Sequence, residues 1–285
     1  MEKHLRHALT GSGVLALAVA AGCCIKVGWM RDTWPLPDTF MLYLFLGAVA
    51  AAIGASTLWI ARSGELGAMA GGAITLSVFY GALAAALFVL ARQGGSAGVG
   101  AGAFLSALAA LVFAGVFLWV LRYPMRDTRP LPAFARVSFA LYGALLVGVG
   151  LAILLHVPNI FPLTLSPTSS VLIGSFFLGA ACYFFFGLAR PGWGNAAGQM
   201  WAFLAYDAIL IVPFLLQLSH VAPGHLASLI VNTLVLIYSG ALSVYYLLFY
   251  PATRVHLVPR AGALSRRTAD RNRSQSALEI VPPGC

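Results

Sequence analysis

Eight stretches of the chain, residues 8–28, 40–61, 67–91, 99–121, 135–156, 169–189, 196–217 and 226–250, run for about twenty residues each with almost no charge. A hydrocarbon core of roughly 30 Å is crossed by about 20 helical residues, so every stretch is long enough to span a bilayer. Inside hydrocarbon the backbone must satisfy its own hydrogen bonds, and these stretches lack the alternation of barrel strands. The sequence therefore predicts an all-α polytopic membrane protein with eight transmembrane helices. Composition agrees, because 60% hydrophobic and 9% charged residues leave too little polar surface for a soluble domain.

Basic residues set the orientation. With the N-terminus in the cytoplasm, Lys3, Arg6, Arg62, Arg122, Arg126, Arg129, Arg136, Arg190 and the six arginines after residue 250 fall inside, and Lys26, Arg31 and Arg92 outside. That asymmetry, fourteen against three, places both termini in the cytoplasm. The net charge of +9 is then a topology signal and a contact with anionic lipid headgroups, with no need of nucleic acid. Residues 251–285 carry many charges and little periodicity, which predicts a disordered basic tail. Arginine in place of lysine and abundant alanine point to a bacterium, and with the topology to its cytoplasmic membrane.

The first 24 residues also have the general form of a lipoprotein signal, with small residues before Cys23. Ala20 stands where such signals prefer leucine and the apolar run continues past Cys23, so an intact first helix is expected. The four cysteines make no disulfide framework and read as packing residues.

"MRDTWPLP" at 30–37 recurs as "MRDTRPLP" at 125–132, an offset of 95 that would suit a three-helix inverted repeat. An offset of about 127 aligns helix ends better: Pro35-Leu36 with Pro162-Leu163, Gly47 with Gly174, and Ala61-Arg62-x-Gly64 with Ala189-Arg190-x-Gly192. Matched loops then share a membrane side, as a parallel duplication requires. The expected organisation is two four-helix units, 1–122 and 135–250, joined by a basic linker at 123–134. The octapeptide itself reads as a helix-starting joint, with a threonine to cap, prolines to set the approach and a local Arg–Asp pair. Glu65, in a short inner turn, reads as a solvated partner of Arg62.

Asp207 is the most informative single residue, because it falls midway along the seventh span. An ionised carboxylate there costs several kcal/mol unless it is paired or protonated. Tyr238 and Ser239, about 18 Å below the outer end of the last span, share its depth and are its expected hydrogen-bond partners. Tyr80 holds the equivalent place in the first unit. Asp207→Leu would then leave those hydroxyls unmatched. Pro213 frees the carbonyl of Ile209 and makes a small polar cavity plausible. His156, His220 and His225 gather on the outer side as weak candidate metal ligands, at spacings that match no established metal signature. No cofactor is implied.

Three function classes follow. The first is a small transporter or lipophilic-solute binding protein using the Asp207 carboxyl, with a small solute or a proton as its partner. The second is a non-catalytic accessory or scaffold subunit packed against another membrane protein through small residues. A membrane enzyme or metal-binding protein using the outer histidines ranks third, since nothing else clusters acids or metal ligands. A cavity reaching Asp207 would favour the first class; a sealed carboxyl would favour the second.

Overall fold

The structure, a computed structural model, describes residues 2–25, 40–94 and 96–254. Its helices are α1 (Glu2–Cys24), α2 (Phe40–Ser63), α3 (Met69–Arg92), α4 (Ala97–Val120), α5 (Ala133–Leu154), α6 (Pro167–Ala189), α7 (Trp193–Gln217) and α8 (Pro223–Val244). A 3-10 turn at Leu66–Ala68 leads into α3, and a π turn at Tyr245–Phe249 closes α8. All eight helices, with those end turns, are long and apolar enough to cross a membrane, and no strand occurs among the described residues. Met1–Thr253 form one compact unit. The expected tail lies outside the described residues after Arg254, but its first residues are folded: Thr253 is buried and its hydroxyl donates to the Tyr246 carbonyl at 2.7 Å. The first copy of the octapeptide also lies outside the described residues.

These helices are apolar around most of their circumference, so packing is set by small residues on one side and bulky apolar ones toward lipid. On α4, Phe104, Leu105, Leu111 and Leu118 are exposed, as a lipid-facing surface requires. The principal neighbours are α1 with α2, α3 with α4, α5 with α6 and α7 with α8, tied together by α2 against α7 and α3 against α6. Gly179 shows why the last contact needs a glycine: a Cβ there would sit 2.5 Å from the Thr75 carbonyl oxygen of α3. Aromatic rings fill the centre, with Phe45 of α2 edge-on to Phe161, Phe177 and Tyr206 at 5.3, 5.9 and 6.0 Å.

One end of the bundle is held by polar contacts, and here the structure corrects the reading of Glu65. Only 4% exposed, Glu65 accepts the backbone N–H groups of Arg126 and Asp127, both at 2.8 Å, in place of a solvated contact with Arg62. The Arg–Asp pair expected within the octapeptide, Arg126 with its neighbour Asp127, is replaced: Arg126 pairs with Glu2, and Arg129 Nε donates to Asp127 Oδ1 at 2.9 Å. Burial raises the Asp127 carboxyl, but hydrogen bonds from the side chain and backbone of Arg129, with its charge, outweigh this and hold it below the usual carboxylate range. The threonine of this octapeptide does not cap α5, which starts at Ala133 with no side-chain cap. Its backbone instead pairs with the turn before α7: Leu131 N–H donates to Pro191 O at 2.9 Å, and Trp193 N–H to Arg129 O at 2.7 Å. Prolines at 130 and 132 flank Leu131, whose N–H makes that bond to Pro191, and themselves have no N–H to satisfy.

Candidate functional site: a cavity at Asp207

Polar residues on α7 and α8 fall on single faces. Gln199, Phe203 and Asp207 recur every four residues on α7, as do Ser228, Asn232 and Leu236 on α8, with Ser239 one turn further. The two faces look into one cavity of about 430 Å³, walled also by α5, α6 and Asn159-Ile160 of the loop between them. Three of its rings, Tyr142, Phe184 and Phe203, pack on one another with centroids 5.0–5.6 Å apart. Among the described residues no lysine, arginine or histidine lines it, and Asp207 is the one acid that does.

Asp207 is 1% exposed, and neither carboxylate oxygen has a hydrogen-bond partner among the described residues. Ser239 lies close enough to interact with the carboxyl. Its hydroxyl is nevertheless committed to its own helix, at 2.9 Å from Val235 O and 3.1 Å from Leu236 O. We take the two carbonyls as its acceptors, because a hydroxyl has one proton. Gly240 of α8 faces the carboxyl: a Cβ there would lie at an ordinary contact distance, 3.4 Å, from Asp207 Oδ2. Pro213 sits within an unbroken α7 above the carboxyl.

The other sequence candidates fall elsewhere. Tyr238 hydrogen-bonds Ser138 of α5 at 2.7 Å and does not line the cavity. Tyr80 stacks on Phe113 of α4 at 5.7 Å and does not line the cavity. His225 Nδ1 lies 3.0 Å from Phe161 O and its Nε2 3.4 Å from Thr164 Oγ1, so its ring braces the α5–α6 loop. His220 contacts Ser219 and Leu216 O, while His156 ends α5 in a left-handed turn (φ 57°). Among the described residues no three His, Cys, Asp or Glu side chains gather where a metal ion could sit. Tyr142, Gln199 and Tyr206 were missed from the sequence, although the four-residue spacing of Gln199 from Phe203 and Asp207 was there to be read.

The cavity reaches the surface between α5 and α8. Leu145 and Val231 both line it and are 39% and 53% exposed, and Asn159 and Ala227 are exposed at its outer end. Further along, the same seam is closed by the Ser138–Tyr238 bond and by Tyr142 OH donating to Val235 O at 3.4 Å. The side chains flanking the opening, Leu141, Ile230 and Leu234, are apolar and exposed. In comparisons with known proteins, no family model, no curated sequence and no solved structure matches the chain.

Proposed function

We propose that this integral membrane protein is a small transporter or lipophilic-solute binding protein of a bacterial cytoplasmic membrane, with its site at Asp207. The supporting observation is the cavity itself: about 430 Å³, mostly apolar, ending on a buried carboxyl without a hydrogen-bond donor. That volume lies in the range of small-molecule sites, and its wall of apolar and aromatic groups with a few polar ones has their usual make-up. A subunit whose only task is to pack would gain by filling this space, since voids forfeit dispersion and transfer energy. The opening between exposed apolar side chains suits a solute that arrives from the lipid.

The test is binding of a neutral lipophilic fluorophore, N-phenyl-1-naphthylamine, to the protein in nanodiscs. Saturable binding above bilayer partition, abolished by Ala180→Phe on the cavity wall, is expected. Identical curves for parent and variant would remove the cavity as the site.

We also propose that the chain is a duplication of a four-helix unit. Exchanging α1–α4 with α5–α8 leaves the neighbour map unchanged: α1–α2 becomes α5–α6, α3–α4 becomes α7–α8, and α2–α7 becomes α6–α3. The matching helix ends at an offset of about 127 residues point the same way.

A further inference from the structure

We infer that the solute is a protonated amine carrying an aromatic or branched apolar body, bound with its N–H groups on Asp207. This rests on the cavity being a solute site and adds the chemistry of the solute. Asp207 is 1% exposed, lines the cavity, and neither of its oxygens has a hydrogen-bond donor among the described residues. Hydroxyls near the carboxyl bond elsewhere: Ser239 to Val235 and Leu236, Tyr142 to Val235, and Tyr238 to Ser138. The protein therefore supplies an acceptor and withholds the donor, which the ligand must bring.

Candidate ligands differ in what they leave unsatisfied. A neutral apolar solute fills the cavity but leaves two buried acceptor oxygens unpaired, which opposes its binding. A lone proton neutralises the carboxyl yet uses neither the cavity nor its aromatic wall. A hard metal ion needs about six converging oxygens, and the described residues gather no group of even three acidic or metal-ligating side chains. A protonated amine meets each requirement. Its N–H groups make charge-assisted bonds to the carboxylate. Its charge is also attracted to ring faces, and Tyr142, Phe184 and Phe203 stand together in the same cavity. The remaining apolar wall takes the body of the molecule. Such an amine lies in a bilayer with its body among the acyl chains, from which the opening between Leu145 and Val231 is reached directly.

The experiment uses three probes with one apolar body: 4-phenylbutylamine, 4-phenylbutanol and 4-phenylbutyltrimethylammonium. Each competes against N-phenyl-1-naphthylamine on the full chain in nanodiscs at neutral pH. The amine should bind at least about tenfold more tightly than the alcohol, the worth of one charge-assisted hydrogen bond. It should also outcompete the quaternary ion, which has charge but no N–H. Asp207→Asn should abolish the amine's advantage over the alcohol. Equal affinities for amine and alcohol on the unaltered protein would overturn the inference whether or not the variant folds. In that case fluorophore binding that Ala180→Phe still abolishes would keep the cavity as a solute site. Loss of fluorophore binding altogether would remove both.

Discussion

Asp207 and Asp127 show how differently two carboxyls can be housed in one chain. Asp207 faces Gly240 with both oxygens unbonded. Sequence reasoning expects Asp207→Leu to harm the protein by orphaning the hydroxyls of Tyr238 and Ser239, but those hydroxyls bond elsewhere. Removing an unpaired buried carboxyl should therefore raise stability, by about 1–3 kcal/mol, while abolishing amine binding. Unfolding in detergent by heat or by SDS measures this, and a loss of stability would show a partner for Asp207 that the structure lacks. Asp127 is the opposite case, held below the usual carboxylate range by Arg129. A carboxyl depressed on folding contributes stability above its unfolded pKa, and the contribution is lost as pH falls through the folded value. Asp127→Asn should thus be less stable than the parent at neutral pH, and the difference should vanish as acid protonates the Asp127 carboxyl. A difference that persists in acid would assign the effect to packing.

Elements in this protein are joined by backbone contacts as much as by side chains. Glu65 holds two linker amides, so Glu65→Ala leaves both N–H groups unsatisfied and should cost about 3 kcal/mol or more, with Glu65→Gln losing about half of that. Faster proteolysis within residues 123–132 would accompany the loss. Equal stability of all three proteins would show that water replaces the carboxylate without cost. Gly179→Val puts side-chain atoms against the Thr75 carbonyl, a backbone group that cannot swing aside, and should separate α6 from α3. Gly240→Ala, whose Cβ would meet only ordinary contacts, should be tolerated. The polar stripe of α7 was legible in the sequence at four-residue spacing. The role of Glu65 was not, because its partners are backbone amides some sixty residues away that no side-chain pattern announces.

For the whole molecule, the basic asymmetry predicts that reporter fusions after Pro132 read inside and after His225 outside. The reverse pattern would invert the topology and move the cavity opening to the other leaflet. If the halves are duplicated units, residues 1–132 and 133–285 produced as separate chains should assemble into a detergent-stable complex, since α2–α7 and α3–α6 contacts hold them together. By itself the sequence determined the eight helices, because a bilayer accepts only segments that satisfy their own backbone and because apolar length is a local property. It also singled out Asp207, since one charge in hydrocarbon is conspicuous without any partner in view. Only the tertiary structure decided what surrounds that carboxyl. Which of Tyr80, Tyr142, Tyr206 and Tyr238 turn toward it depends on the rotation of each helix about its axis. In helices apolar on nearly every side, that rotation is set by small residues meeting across interfaces, and no hydrophobic pattern along one helix records it.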